Sequence, residues 1–281
     1  MSESTKPKEG VSSEIHDFYE RFDEKKRLLT GVCQLEKVRT KDILERYLPP
    51  PPAVILDVGG GAGAYSFWLA EMGHEVHLVD PISAHIDQAR QEAQKHSEHP
   101  LASVRVGDAS GLVQVDCSVD GVLLLGPLYH LARRKDRLVA LEEACRVLRP
   151  GGWLFAAAIS RFASVLEGLF CGYLDDPEFV RIVDRDLEDG QHRNPTPNPL
   201  YFTTAFFHRT DEFILEIEES GLNLVKILAV EGVGWLLQNF EQHWQDQKKQ
   251  AQLLNILRRL EEEPSLSGAS AHLMAIARKA S

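Results

Sequence analysis

Cysteine is scarce in this chain and unpatterned. Cys33, Cys117, Cys145 and Cys171 lie far apart, with no CxxC pair and no Cys/His cluster at ligand spacing, which argues against a disulfide framework and a structural zinc site. No run approaches the roughly 20 apolar residues that cross a bilayer, and Met1 to Gly10 is polar and charged where a signal peptide would be apolar. Positive charge is also short: 31 Lys and Arg stand against 42 Asp and Glu, a formal net charge of -11. The basic clusters Arg133-Arg134-Lys135 and Arg258-Arg259 sit beside acids or within amphipathic stretches. Nucleic-acid binding rests on phosphate neutralisation, so this balance argues against DNA or RNA as a partner. Together the absences predict a soluble protein of a reducing, cytoplasmic compartment, with no metal and no membrane partner.

What is present is an ordered alternation. From Ser12 to Leu48 apolar residues recur at mostly helical spacing, interrupted at Thr30-Gly31, and predict two or three helices. The run Pro49-Pro50-Pro51-Pro52 cannot continue a helix and marks a boundary. Beyond it, strands at Ala53–Val58, Glu75–Val79, Ser103–Val106, Gly121–Leu125 and Trp153–Ile159 alternate with helices at Ala64–Met72, Ala84–Lys95 and Arg137–Leu148. Such a rhythm reads as a parallel sheet covered on both faces. Ser160 to Leu200 interrupts it with a helix, an acidic stretch at Asp175–Asp189 and a proline-rich loop. The pattern resumes with a helix at Thr210–Ser220 and strands at Leu222–Val230 and Ala271–Arg278, with helical sequence between them. The expected fold is α/β: a doubly wound, mostly parallel seven-stranded sheet with helices on both faces. N-terminal helices and a helical insertion after the fifth strand would form a lid. The corresponding divisions are 1–48, 49–160, 161–209 and 210–281.

The strongest chemical signal is Asp57-Val58-Gly59-Gly60-Gly61-Ala62-Gly63, a buried strand running into alternate glycines and then a helix. Glycines allow a sharp turn and close approach of backbone to a ligand, and a helix N-terminus offers free N–H groups. Asp80, at the end of the second strand, could accept hydrogen bonds from both ribose hydroxyls of an adenosine. Asp80 and the glycines alone suit NAD equally well, so a nicotinamide-dependent oxidoreductase is one reading at this point.

With further motifs in order, the sequence resembles the class I (Rossmann-like) S-adenosylmethionine-dependent methyltransferases. Asp57 to Gly63 matches that family's acid-x-Gly-x-Gly-x-Gly pattern, and Gly107-Asp108-Ala109 falls where its adenine-binding acid stands. Leu125-Gly126-Pro127-Leu128-Tyr129-His130-Leu131 ends the fourth strand beside the methyl donor's place. That segment, with Ile159 to Ser164, is similar to a bacterial, small-molecule type within the family. The resemblance implies S-adenosylmethionine as cofactor, S-adenosylhomocysteine as product, and cofactor contacts at Asp57, Gly59, Gly61, Gly63, Asp80, Pro81, Ile82, Asp108, Ala109, Leu125 and Gly126.

Methyl transfer is an in-line displacement needing alignment and, for a protonated acceptor, a base. His130 and Tyr129, at the fourth strand end, are the catalytic candidates. Gly126 has no side chain where enzymes that methylate amino nitrogens carry a polar Asn or Asp, which directs the reading to a small-molecule acceptor. Acceptor contacts are expected from the N-terminal helices and the insertion, chiefly Tyr19, Arg161, Tyr201 and His208. Apolar helical faces could close a lid or form a homodimer interface. A non-catalytic cofactor-binding module is the remaining alternative.

Overall fold

The computed structural model describes residues 14, 15, 18 and 27–281. Tyr19, expected to touch the acceptor, lies outside the described residues. Helix α1 (Cys33–Tyr47) precedes the proline run. There follow β1 (Val54–Val58), α2 (Ser66–Glu71), β2 (Glu75–Asp80), α3 (Ser83–Ala93), β3 (Ser103–Val106), β4 (Val119–Leu124), a short α4 (Pro127–His130), α5 (Arg134–Val147) and β5 (Leu148–Ser160). Strands β1 to β5 are parallel in the order β3-β2-β1-β4-β5. The last two strands, β8 (Leu222–Ala229) and β9 (His272–Lys279), are antiparallel to each other, and β9 runs antiparallel beside β5.

The period-two alternation of a strand explains how the core divides. Leu56, Val122, Leu124, Leu154 and Ala156 face Ala140, Leu141, Ala144 and Val147 of α5 on one side. Their neighbours Ile55, Leu123 and Phe155 face Ile43 and Leu44 of α1 and Leu69 of α2 on the other. Both faces are therefore dry, which is why Val54-Ile55-Leu56 and Val122-Leu123-Leu124 read as continuous apolar runs. Among the described residues no helix is long and apolar enough to cross a membrane.

The sheet has nine strands where seven were expected. Beyond the register limit of β4, which ends at Leu124 opposite Ala156, β5 runs on to Ser160 and presents an unpaired edge. The segment 161–209 fills it: β7 (Ala205–His208) lies parallel to β5 with Phe207 opposite Ile159, and β6 (Gln191–His192) pairs with β7. The same segment contributes α6 (Ala163–Cys171) and α7 (Pro177–Asp189). The acidic stretch is thus an amphipathic helix, capped by Asp176 and burying Phe179, Ile182 and Val183. After β7 come α8 (Thr210–Glu219), α9 (Phe240–Gln245), α10 (Gln247–Leu260) and α11 (Pro264–Ser267).

Buried ion pairs fasten these outer elements. Arg137 of α5 makes a two-pronged bond to Glu216 of α8, at 2.8 and 2.7 Å, with 1% and 2% of each side chain exposed. Removing one partner of such a pair leaves an uncompensated buried charge. Glu216→Ala should therefore lower stability by about 3–5 kcal/mol, read as a fall in the urea midpoint with little change in slope.

Candidate functional site

Strand β1 is flanked by β2 on one side and β4 on the other, so the loops leaving their C-terminal ends diverge and open a crevice. A cavity of about 1010 Å³ occupies it. Asp57, Gly59, Gly61, Gly63, Asp80, Pro81, Ile82, Asp108, Ala109, Leu125 and Gly126 all line this space, as do Tyr129 and His130. Residues drawn together from four separate strand ends thus face one volume.

The first loop is shaped by its glycines. Gly59 has φ +70°, a left-handed conformation, and a Cβ there would stand 2.6 Å from Pro127 Cγ. Gly61 has φ +58°, and a Cβ on it would meet nothing nearer than His85 Nδ1 at 3.9 Å, so it would project into the cavity. The amides of these glycines are already used. Gly59 N–H donates to Val79 O (2.7 Å), Gly61 N–H to Asp80 Oδ2 (2.8 Å) and Gly63 N–H to Gly60 O (2.9 Å). The free donors expected from the sequence at these glycines are therefore absent, because the turn is tied to β2 and to itself.

Asp80 also accepts from Ile82 N–H at 2.9 Å and meets His85 Nδ1 at 3.1 Å, both through Oδ1. His85 went unnoticed in the sequence because it is one polar residue on an otherwise ordinary helix start. Asp57 lies beneath the turn, almost wholly buried. Its Oδ2 accepts from Ser66 Oγ at 2.6 Å, while Oδ1 meets no donor among the described residues. Burial pushes its pKa up to about 6 against the opposing Ser66 hydrogen bond, and the negative Asp80 nearby adds to the rise. Asp108 turns its own loop, accepting from Ser110 N–H and Oγ through Oδ1.

Two histidines face the far end of the cavity with opposite charge preferences. Burial lowers the pKa of His130 to about 4, only partly offset by its contact with Thr204 O and the charge of Asp80. At neutral pH its imidazole is uncharged. Burial would also lower that of His272, but Glu231 and Glu36 override it against Arg27 and raise the value to about 9. Glu36 in turn carries a pKa held down despite its burial, by Arg27 and His272. Tyr129 packs edge-on against His130, with centroids 4.7 Å apart, and lies 6.2 Å from the His272 ring.

Three residues expected at the acceptor lie elsewhere. Arg161 is buried, bonded through Nε to Phe207 O (2.8 Å) and through a terminal nitrogen to Glu212 (2.6 Å). Tyr201 is buried with its hydroxyl on Asp176 (2.8 Å), and His208 packs against Glu216 (3.2 Å). A charged or aromatic residue after a strand can as readily complete a buried pair as meet a ligand, and spacing alone does not separate the two. No described residue of 161–209 lines the cavity; its outer wall includes Ile15, Arg27, Leu28, Glu36 and Thr40. His272 and Glu231 were missed. Their only signal is a polar residue at each end of the strand pair, Glu231 after β8 and His272 before the apolar run Leu273-Met274-Ala275-Ile276-Ala277.

Because folding raises the Asp57 pKa to about 6, the folded protein keeps a proton between the unfolded value of 3.8 and about 6 that the unfolded chain has lost. Its contribution is most favourable below the unfolded value of 3.8 and is lost as pH rises through about 6. Asp57→Asn should abolish that component: the stability difference between variant and unliganded wild type, from urea unfolding, should grow in favour of the variant between acid and neutral pH.

Comparison with known proteins agrees with the geometry. Residues 56–156 match the family model described as a methyltransferase domain. A ubiquinone/menaquinone biosynthesis C-methyltransferase of Acidiphilium cryptum is 34% identical over 143 residues, 50% of this chain and 55% of that one. A malonyl-[acyl-carrier protein] O-methyltransferase of Methylococcus capsulatus is 36% identical over 131 residues, 44% of each chain. The chain spans about half the length of the curated relatives it matches. A solved S-adenosylmethionine-dependent methyltransferase of Methanosarcina mazei shares the fold, with a TM-score of 0.58 and 20% identity over 85% of this chain and 97% of that one. Residues 56–156, which carry the glycine turn and its flanking acids, thus match the methyltransferase-domain family, and the strand order agrees with the fold shared with the solved structure.

Proposed function

We propose that the chain methylates a small-molecule acceptor at the expense of S-adenosylmethionine, in a reducing cytoplasmic setting that suits its free cysteines. The observation that carries this reading is Asp57. A dinucleotide would bring a pyrophosphate to this turn and needs amide donors to hold it. Here the amides of Gly59, Gly61 and Gly63 are engaged internally, and a buried carboxylate oxygen without a donor among the described residues lies beneath them. Such a site repels an anion and suits a cationic group, such as the ammonium and sulfonium of S-adenosylmethionine. The nicotinamide reading therefore loses its footing at the loop that suggested it.

The fit of the remaining residues follows the same logic. Asp80, pinned by Gly61 and Ile82, would accept from ribose hydroxyls; Asp108 and Ala109 would meet the adenine; Pro81, Ile82, Leu125 and Gly126 would shape the walls around them. S-adenosylmethionine supplies a methyl group on positively charged sulfur, activated for displacement. His130, uncharged at neutral pH and with a pKa of about 4 a weak base, can accept a hydrogen bond from an acceptor hydroxyl or ammonium and align it for displacement, and Tyr129 holds the imidazole in place edge-on. The outer wall from the N-terminal region would then act as the lid over the acceptor. The names of the two relatives, a quinone-pathway C-methyltransferase and a malonyl thioester O-methyltransferase, support an acceptor other than nucleic acid.

Calorimetry with S-adenosylhomocysteine tests the reading. Binding should be saturable, should strengthen as pH rises through about 6 while Asp57 ionises, and should be absent for NAD; tight NAD binding without S-adenosylhomocysteine binding would overturn it. Gly61→Ala places a methyl in the cradle and strains a left-handed residue by about 1–2 kcal/mol. That variant should lose at least about tenfold in S-adenosylhomocysteine affinity while its circular dichroism stays unchanged.

A further inference from the structure

Among the described residues that line the cavity, His272 is a charged side chain whose bonds are incomplete. His272 opens β9 opposite Ile159 of β5, and its carbonyl accepts from Val230 N–H at 3.0 Å. Glu231, next in the chain and buried, turns back onto it. Its Oε2 accepts from His272 N–H (2.9 Å) and Ser270 Oγ (3.1 Å), and its Oε1 meets His272 Nδ1 at 2.7 Å. Three donors converge on this carboxylate, and it in turn fixes the proton of the imidazole on Nδ1.

The other ring nitrogen, Nε2, has no partner among the described residues, and the one-fifth of the side chain that is exposed belongs to the cavity. The apolar Val230, Met274 and Ala157 line the cavity, while Glu36 and Arg27 face the ring. The nearest other carboxylate, Glu36 of α1, is engaged through both oxygens by Arg27, at 2.5 and 3.0 Å. A charged donor left without a hydrogen-bond acceptor is costly unless a ligand supplies one.

We infer that His272, positioned by Glu231, is the docking point for the acidic group of the acceptor, a phenol or carboxylic acid bound as its oxyanion on an otherwise apolar body. The inference rests on the methyltransferase reading for calling that molecule the acceptor. The raised pKa of His272 agrees with it, since the imidazolium form persists at neutral pH. The charged groups that face the ring are Glu231 from the end of β8, Glu36 from α1 and Arg27 ahead of α1. A divalent cation is the competing occupant, because Glu36, Glu231 and His272 each offer a ligand atom within 4.8 Å of the others. To bind, it would have to displace the Arg27–Glu36 and Glu231–His272 bonds already made.

The probes are 4-nitrophenol, followed by its phenolate absorbance, and benzoate, followed by calorimetry, each added to protein saturated with S-adenosylhomocysteine. Wild type should bind 4-nitrophenol as the phenolate and benzoate as the anion. The neutral analogues 4-nitroanisole and benzamide should bind at least about tenfold more weakly. His272→Gln and Glu231→Gln should each cost about tenfold in affinity for both acidic probes while S-adenosylhomocysteine affinity holds, and His272→Lys should restore part of the loss. Equal binding of acidic and neutral probes to wild type, or no saturable binding of either acid, overturns the inference without any variant having to fold. Stoichiometric binding of Mn²⁺ that is lost in Glu36→Gln also overturns it, in favour of a metal site. Failure of wild type to bind S-adenosylhomocysteine would instead defeat the methyltransferase reading, independently of His272.

Discussion

Asp80 ends β2, and its carboxylate ties together the parts of the cavity floor. One oxygen holds the Gly61 amide of the loop after β1; the other holds the Ile82 amide of its own loop and meets the His85 ring. Hydrogen bonds to an ionised acceptor are about twice as strong as neutral ones, so two loops that would otherwise be independent behave as one surface. The arrangement has a consequence below it. With the glycine amides drawn towards β2, Asp57 is left with an oxygen that nothing in the described protein satisfies.

Away from that floor the chain is held by arginine–carboxylate pairs that join distant segments. Arg39 of α1 bonds Val230 O, Asp42 and Glu261, and Glu261 also takes Arg46. Arg137 joins α5 to α8, and Arg161 joins the end of β5 to Glu212. Buried pairs of this kind add little net stability over apolar packing, but they tolerate only one geometry. The Arg39 cluster sets α1 against the end of β8, and α1 in turn delivers Glu36 to the cavity wall opposite His272.

His130 and His272 show how environment divides one residue type into two charge states. His130 is enclosed against a carbonyl and an aromatic ring, and the desolvation keeps it neutral. His272 is equally enclosed but carries Glu231 on Nδ1, and so stays charged. One can accept a hydrogen bond and the other can hold an anion, within a few ångströms of the same aromatic ring of Tyr129.

What the sequence determined by itself was the local and periodic part. The alternation of β-branched runs with helical stretches gave seven strands in their correct positions, because strand and helix periods are properties of neighbouring residues. The glycine turn, Asp80, Asp108 and the Gly126–Leu131 segment were legible because each follows a strand end, and parallel strands bring all such ends to one edge. Tertiary structure alone decided which polar residues meet the cavity. Arg161, Tyr201 and His208 looked suited to a ligand but bond to Glu212, Asp176 and Glu216, while His272 and Glu231 looked unremarkable and form its charged corner. The same holds for β6 and β7, which exist because β5 outruns β4 and leaves an edge to be filled. The physical reason is common to these cases: a polar side chain or an open strand edge takes whichever partner the folded chain brings within about 3 Å, and that partner is set by three-dimensional packing rather than by sequence spacing.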